Sequence, residues 1–196
     1  MADRGGDGAR TEPEFRVVGE EPIFDGYLIR LTRAEVVGPD GHHFEREIVR
    51  HPGAVAVIAV DDDDRVWLVR QFRTAIGTTV LEAPAGTRDV DGEPPEETAR
   101  RELAEEAGLE ADRLELLIGA YNSPGYCDQR TWIYLATGLS PTATGRTGVE
   151  EHWMTIERVA LSDLEALVAD GSLADADTVL GMSLARDALA RRAAAG

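Results

Sequence analysis

Residues 86–109 read GTRDVDGEPPEETARRELAEEAGL. Pro94 and Pro95 suit a helix entry, and Glu96 and Glu97 suit the positive end of the helix dipole in the first turn. Gly108 suits the left-handed position that ends a helix. The spacing therefore predicts a helix from Pro95 to Ala107. On it Glu102, Glu105 and Glu106 fall at i, i+3 and i+4, which at about 100° per residue places them on one narrow face. Ala99, Leu103 and Ala107 form a separate apolar stripe. That stripe can pack on a sheet while the carboxylates project sideways into a cleft, the oxygen-rich geometry that a hard cation needs. The same glutamates suit an acidic surface helix equally well, because water tolerates like charges at i, i+4 at small cost. Spacing alone leaves both readings open.

Working outward, the helix is preceded by a loop, Ala83 to Glu93, that contains Pro84, Gly86, Asp91 and Gly92, and by a strand around Thr79 to Glu82. Upstream lie AVAVIAV (Ala54 to Val60) and RVWLVRQF (Arg65 to Phe72), near-continuous apolar runs that read as central strands. Asp61 to Asp64 between them read as a polar hairpin turn rather than as metal ligands. From Phe15 to Arg50 the runs FRVVG, YLIRLTRAEVV and FEREIVR are broken by Asp25-Gly26 and by Gly38-Pro39-Asp40-Gly41, so a small antiparallel sheet is expected. The first fourteen residues, MADRGGDGARTEPE, carry too little apolar surface to offset their ordering entropy and read as a disordered tail.

Downstream, Leu114 to Tyr121 and Thr131 to Thr137 read as strands flanking the loop Asn122 to Arg130. A polar loop, Ser140 to Glu151, leads to a short strand near Trp153 to Ile156. Leu161 to Asp170 and Asp177 to Arg192 show apolar residues at helical spacing. The division expected is a tail over 1–14, a β segment over 15–50 and a catalytic domain over 51–196, with no internal repeat and no linker.

The 196 residues, 43% of them hydrophobic, suffice for a sizeable core. A formal net charge of -17 opposes binding to a phosphate backbone, so nucleic acid is not an expected partner. An anionic substrate would have to be drawn by a metal ion or by a few placed arginines. The single Cys127 cannot form an internal disulfide, and no charged n-region with an apolar run opens the chain. No apolar stretch approaches the roughly 20 residues that a membrane span needs. The reading is a cytoplasmic protein without membrane contact.

The string from Gly86 to Leu109 resembles the Nudix box: Gly, five residues, Glu, seven residues, Arg-Glu, an aliphatic, any residue, Glu-Glu, any residue, Gly, an aliphatic. From Glu93 onward each defined position matches, at Glu93, Arg101, Glu102, Leu103, Glu105, Glu106, Gly108 and Leu109. The departure is the loop, where six residues separate Gly86 from Glu93 and Thr87 stands where the pattern has glycine. The resemblance implies a Nudix hydrolase: an α/β/α sandwich around a mixed sheet that cleaves a pyrophosphate bond with Mg²⁺ or Mn²⁺. It implies Glu102 and Glu106 as chief metal ligands, Glu105 as a further ligand and the backbone carbonyl of Ala85 as the last. It makes Glu93 a support of the cluster, and Arg101 a fork that holds a box carboxylate.

From about Tyr27 to Leu184 the chain is similar to the ADP-ribose pyrophosphatases of that family. Leu81 to Gly86, LEAPAG, resembles their entry to the box, and Pro124 lies sixteen residues after Gly108 within Ser123-Pro124-Gly125-Tyr126. Tyr126, eighteen residues after Gly108, also suits dinucleoside polyphosphate hydrolases, and UDP- or GDP-sugars are the other substrates such a site serves. By the same resemblance Arg73 would meet the substrate phosphates, Arg46 the adenosine end and Glu82 a ribose hydroxyl, while Gln129 departs from an acidic position.

The box carboxylates being engaged with metal, the general base is expected on a later loop. Glu150 and Glu151, before Met154-Thr155, resemble the family's glutamates there, with His152 as a rival of suitable pKa. The reaction implied is ADP-ribose plus water giving AMP and ribose 5-phosphate, in a homodimer whose segment 15–50 reaches over the partner so that the active sites are shared. Nudix-like sensors that bind a nucleotide sugar without cleaving it usually lack the box glutamates, which this chain retains.

Overall fold

The computed structural model of the chain describes residues 14–145 and 151–195, Glu151 by its backbone alone. The described residues divide into two compact units, one of 14–51 with 125–128 and one of the remainder.

The first unit is an antiparallel sheet of β1 (Arg16–Asp25), β2 (Arg30–Val37) and β3 (His43–Arg50), in that spatial order. Both turns fall where the sequence marks them. The Gly26 amide donates to the Ile29 carbonyl at 2.9 Å, and Gly41 closes the second turn on Gly38, also at 2.9 Å. Residues 125–128 extend this sheet: the Val49 amide donates to Tyr126 O at 2.7 Å and Asp128 N to Val49 O at 3.1 Å. Phe15, Val17, Ile23, Phe24, Tyr27 and Leu28 remain exposed.

The second unit is built on a mixed sheet of seven strands: β4 (Ala54–Val60), β5 (Arg65–Arg73), β6 (Thr78–Glu82), β7 (Ala85–Thr87), β8 (Leu109–Tyr121), β9 (Arg130–Pro141) and β10 (Thr155–Ala160). Its main path runs β10-β5-β4-β9-β8, with β6 on β5 and β7 on β4. The β4–β9 pairing is parallel and the others are antiparallel.

Strand alternation in β4 explains the layers, because successive side chains point to opposite faces. Val55, Val57 and Ala59 pack with Ala99, Leu103 and Ala107, whereas Ala56, Ile58 and Val60 pack with Met182, Ala185 and Leu164. Both faces being covered, β4 reads as a continuous apolar run, as the sequence shows. Helix α1 (Pro95–Glu102) lies on the first face; α2 (Leu164–Ala169) and α3 (Ala176–Ala195) lie on the second, completing an α/β/α sandwich. Fully buried residues such as Ile58, Leu68, Leu103 and Leu135 each contribute roughly 2 kcal/mol by leaving water. Among the described residues no helix is long and apolar enough to cross a membrane.

Several elements differ from their sequence expectations. Residues 83–93 hold the short strand β7 inside the expected loop, and β8 begins at Leu109 rather than Leu114. The last strand starts at Thr155, not Trp153, and runs to Ala160. Trp153, before that strand, is 84% exposed. The helix does span Pro95 to Ala107, but Leu103–Ala107 is a π turn. Gly108 ends it as expected, left-handed at φ 66°, with its amide on Ala104 O at 3.0 Å. Residues 1–13 of the expected tail lie outside the described residues.

Candidate active site

The box helix and the Ala83 to Gly86 segment converge on one carboxylate. Glu106 is 4% exposed, and its Oε2 accepts the Ala85 amide at 2.8 Å. Burial pushes its carboxyl up to about 8; the Ala85 hydrogen bond opposes this, the neighbouring charge of Glu102 adds to it, and Arg73 counters. Glu102 is also buried. Its carboxylate lies against the backbone of Gly86, where a Cβ would stand 2.1 Å from Glu102 Cδ, so the glycine is what admits it. Glu105 is only half-buried. Of the three glutamates expected on one face, Glu102 and Glu106 are buried and Glu105 is partly exposed.

Arg101 organises the other carboxylates. Its Nη1 donates to Glu102 Oε1 at 2.8 Å and to Glu105 Oε2 at 3.3 Å, while Nη2 reaches Glu93 Oε2 at 3.3 Å. The planar fork thus spans three carboxylates. Glu93 Oε2 accepts the Thr98 hydroxyl as well, at 2.8 Å. These two partners hold the Glu93 carboxyl below its ordinary range, Arg101 contributing more than Thr98.

Arg73 and Glu82 are brought to each other. Arg73 Nη2 lies 2.7 Å from Glu82 Oε1, and its Nε donates to Oε2 at 3.1 Å. Glu82 is 4% exposed, and burial raises its carboxyl against the pull of Arg73. Both groups act electrostatically on Glu106. Pro124 closes the segment that follows β8, next to Asn122, whose Nδ2 donates to both Asp177 oxygens. Arg46 belongs to the first unit, on β3, with its guanidinium 4.5 Å from the Phe44 ring centroid. Glu150 and the Glu151 side chain lie outside the described residues. The loop that leads to them starts beside the helix end: Thr142 N donates to Gly108 O at 2.8 Å.

Sequence reasoning missed Thr98 as a partner of Glu93, and missed Thr178. The Thr178 Oγ accepts the Ala83 amide at 2.8 Å and donates to Asp175 Oδ2 at 2.6 Å, tying the start of α3 to the segment that presents Ala85. The Asp-x-x-Thr spacing at 175–178 is the signal that would have marked this cap.

Among the described residues, no three His, Cys, Asp or Glu side chains stand close enough to enclose a cation as they are. Arg101 is engaged with Glu93, Glu102 and Glu105. The donor set nevertheless fits a divalent ion: hard carboxylate oxygens, two of them buried as neighbours on the box helix.

The NUDIX domain family matches residues 50–175. The chain is 40% identical over 165 residues to an ADP-ribose pyrophosphatase of Bacillus subtilis (strain 168), covering 84% of this chain and 89% of that protein. It is 36% identical over 172 residues to an ADP-ribose pyrophosphatase of Mycobacterium tuberculosis (strain ATCC 25618 / H37Rv), covering 88% and 83%. In fold it is similar to the crystal structure of an ADP compounds hydrolase, with a TM-score of 0.79 at 24% identity over 91% of this chain and 96% of that one. With the box positions from Glu93 to Leu109 in place and a family match over residues 50–175, the chain belongs to the Nudix family of hydrolases.

Proposed function

We propose that the chain hydrolyses the pyrophosphate bond of ADP-ribose to AMP and ribose 5-phosphate with Mg²⁺ or Mn²⁺. The observation that carries this reading is the pair of buried box carboxylates, Glu102 and Glu106, the latter held by the Ala85 amide. Relatives named ADP-ribose pyrophosphatase over most of the chain support the choice of substrate.

In this reading Glu102, Glu106 and Glu105, with the carbonyl of Ala85, hold the divalent ions. When bound, these would neutralise the phosphates and lower the pKa of the attacking water. Glu93 and Arg101 keep the ligands oriented. Arg73 contacts the phosphates, Glu82 a ribose hydroxyl, and Pro124 shapes the terminal-sugar side. Glu151 or Glu150 takes the proton from water as it adds to phosphorus and the bridging oxygen leaves with the other phosphate. Arg46 meets the adenosine end.

The protein acts as a homodimer in the cytoplasm, joined through the 15–50 segment, whose exposed Phe15, Phe24 and Tyr27 favour a covered surface. Chelator-treated enzyme tests the function: ADP-ribose should yield AMP only when Mg²⁺ or Mn²⁺ is restored. AMP release at an undiminished rate without divalent ion would refute the reading.

A further inference from the structure

The Nudix loop of this chain carries one residue more than the family pattern, and an added loop residue must be ordered against its backbone entropy. The structure shows what fixes it. The Arg88 amide donates to Gly53 O at 3.1 Å, its guanidinium carbon lies 4.7 Å from the Trp132 ring centroid, and its Nη2 donates to Glu93 O at 3.1 Å. Trp132 comes from β9 and packs against the core beneath α1; Arg130 approaches the same ring at 5.1 Å. Arg88 Nε is buried and makes no hydrogen bond among the described residues, so the stack on Trp132 carries much of the hold.

We propose that Arg88, stacked on Trp132, is a positioning residue that locks the enlarged loop and thereby sets Glu93. Glu93 in turn orders Arg101, and Arg101 orders Glu102 and Glu105, so a side chain from the sheet governs the carboxylates through a relay of contacts. Arginine suits the task because one planar group can stack on an indole and donate along its edge at once; lysine cannot do both. None of these residues needs to touch substrate. The proposal rests on the metal reading of the box.

Direct titration of Mn²⁺ into the metal-free, substrate-free protein tests it, with Glu106→Gln as reference. Arg88→Ala is expected to weaken Mn²⁺ binding about tenfold, as is usual when an orienting partner of a ligand is lost. Trp132→Leu should do the same, Trp132→Phe should stay within about threefold because a ring face remains, and Arg88→Lys should fall between. At saturating Mn²⁺ the KM of Arg88→Ala should match the wild type while kcat stays depressed. An Arg88→Ala affinity within about twofold of wild type, while Glu106→Gln loses binding, would overturn the relay. Wild-type affinity in Glu106→Gln would instead overturn the metal reading beneath it.

Discussion

The Ala85 amide donates to Glu106 Oε2 at 2.8 Å, so this buried carboxylate of the box helix is met by a backbone group from the strand beside the box. This bond alone does not keep Glu106 ionised: burial still lifts its carboxyl to about 8. The folded chain therefore holds a proton there between about pH 4.5 and 8 that the unfolded chain has released, and stability falls as pH rises through that window. Glu82, also raised by burial, acts in the same direction. Melts of metal-free protein should show Tm falling from pH 5 to pH 8, more steeply in wild type than in Glu106→Gln, with a difference on the order of a few kcal/mol. Equal slopes would remove Glu106 from this role.

Gly86 is predicted to be intolerant of even one methyl group. A Cβ there would sit 2.1 Å from Glu102 Cδ, and the carboxylate, being the end of a flexible side chain, would move aside. Gly86→Ala should therefore fold with a stability change under about 1 kcal/mol yet lose activity by a factor on the order of 100. Circular dichroism and initial rates separate the two effects; normal rates would contradict the cradle.

Arg73 and Glu82 should show coupled stability. Removing Arg73 leaves a buried carboxylate without its partner, whereas Glu82→Gln leaves Arg73 half in water. Because Arg73 is 43% exposed, the loss in Arg73→Ala is expected at about 1–2 kcal/mol, below that of a fully buried pair. Since Glu82 then titrates higher still, the loss grows from pH 5 to pH 8. The double variant with Glu82→Gln should recover most of it. Strictly additive melts would show the pair to be uncoupled.

For the base, Glu150→Gln and Glu151→Gln are expected to diverge. One should lower kcat about 10²- to 10⁴-fold with Mn²⁺ affinity unchanged, and the other should stay near wild type. Near-normal rates in both would place the base elsewhere, with His152→Gln the next variant to assay.

The helix was legible because its ends carry chemistry: Pro95 lacks the amide a first turn leaves unused, and Gly108 takes the left-handed stop. The π turn over Leu103–Ala107 was not, since all five residues suit an α-helix and no local signal in them marks the wider turn. Periodicity located Glu102, Glu105 and Glu106 but could not tell which lie inward. The Arg88–Trp132 stack joins residues far apart in sequence, and no local pattern announces such a contact.

Substrate choice is tested most directly by comparing kcat/KM, with Mg²⁺ present, for ADP-ribose, NADH, diadenosine polyphosphates and UDP- and GDP-sugars, with products identified by chromatography. ADP-ribose should lead by at least about tenfold, yielding AMP and ribose 5-phosphate, and Glu106→Gln should lose that rate by orders of magnitude. Equal or better turnover of a UDP- or GDP-sugar, or an active Glu106→Gln, would contradict it.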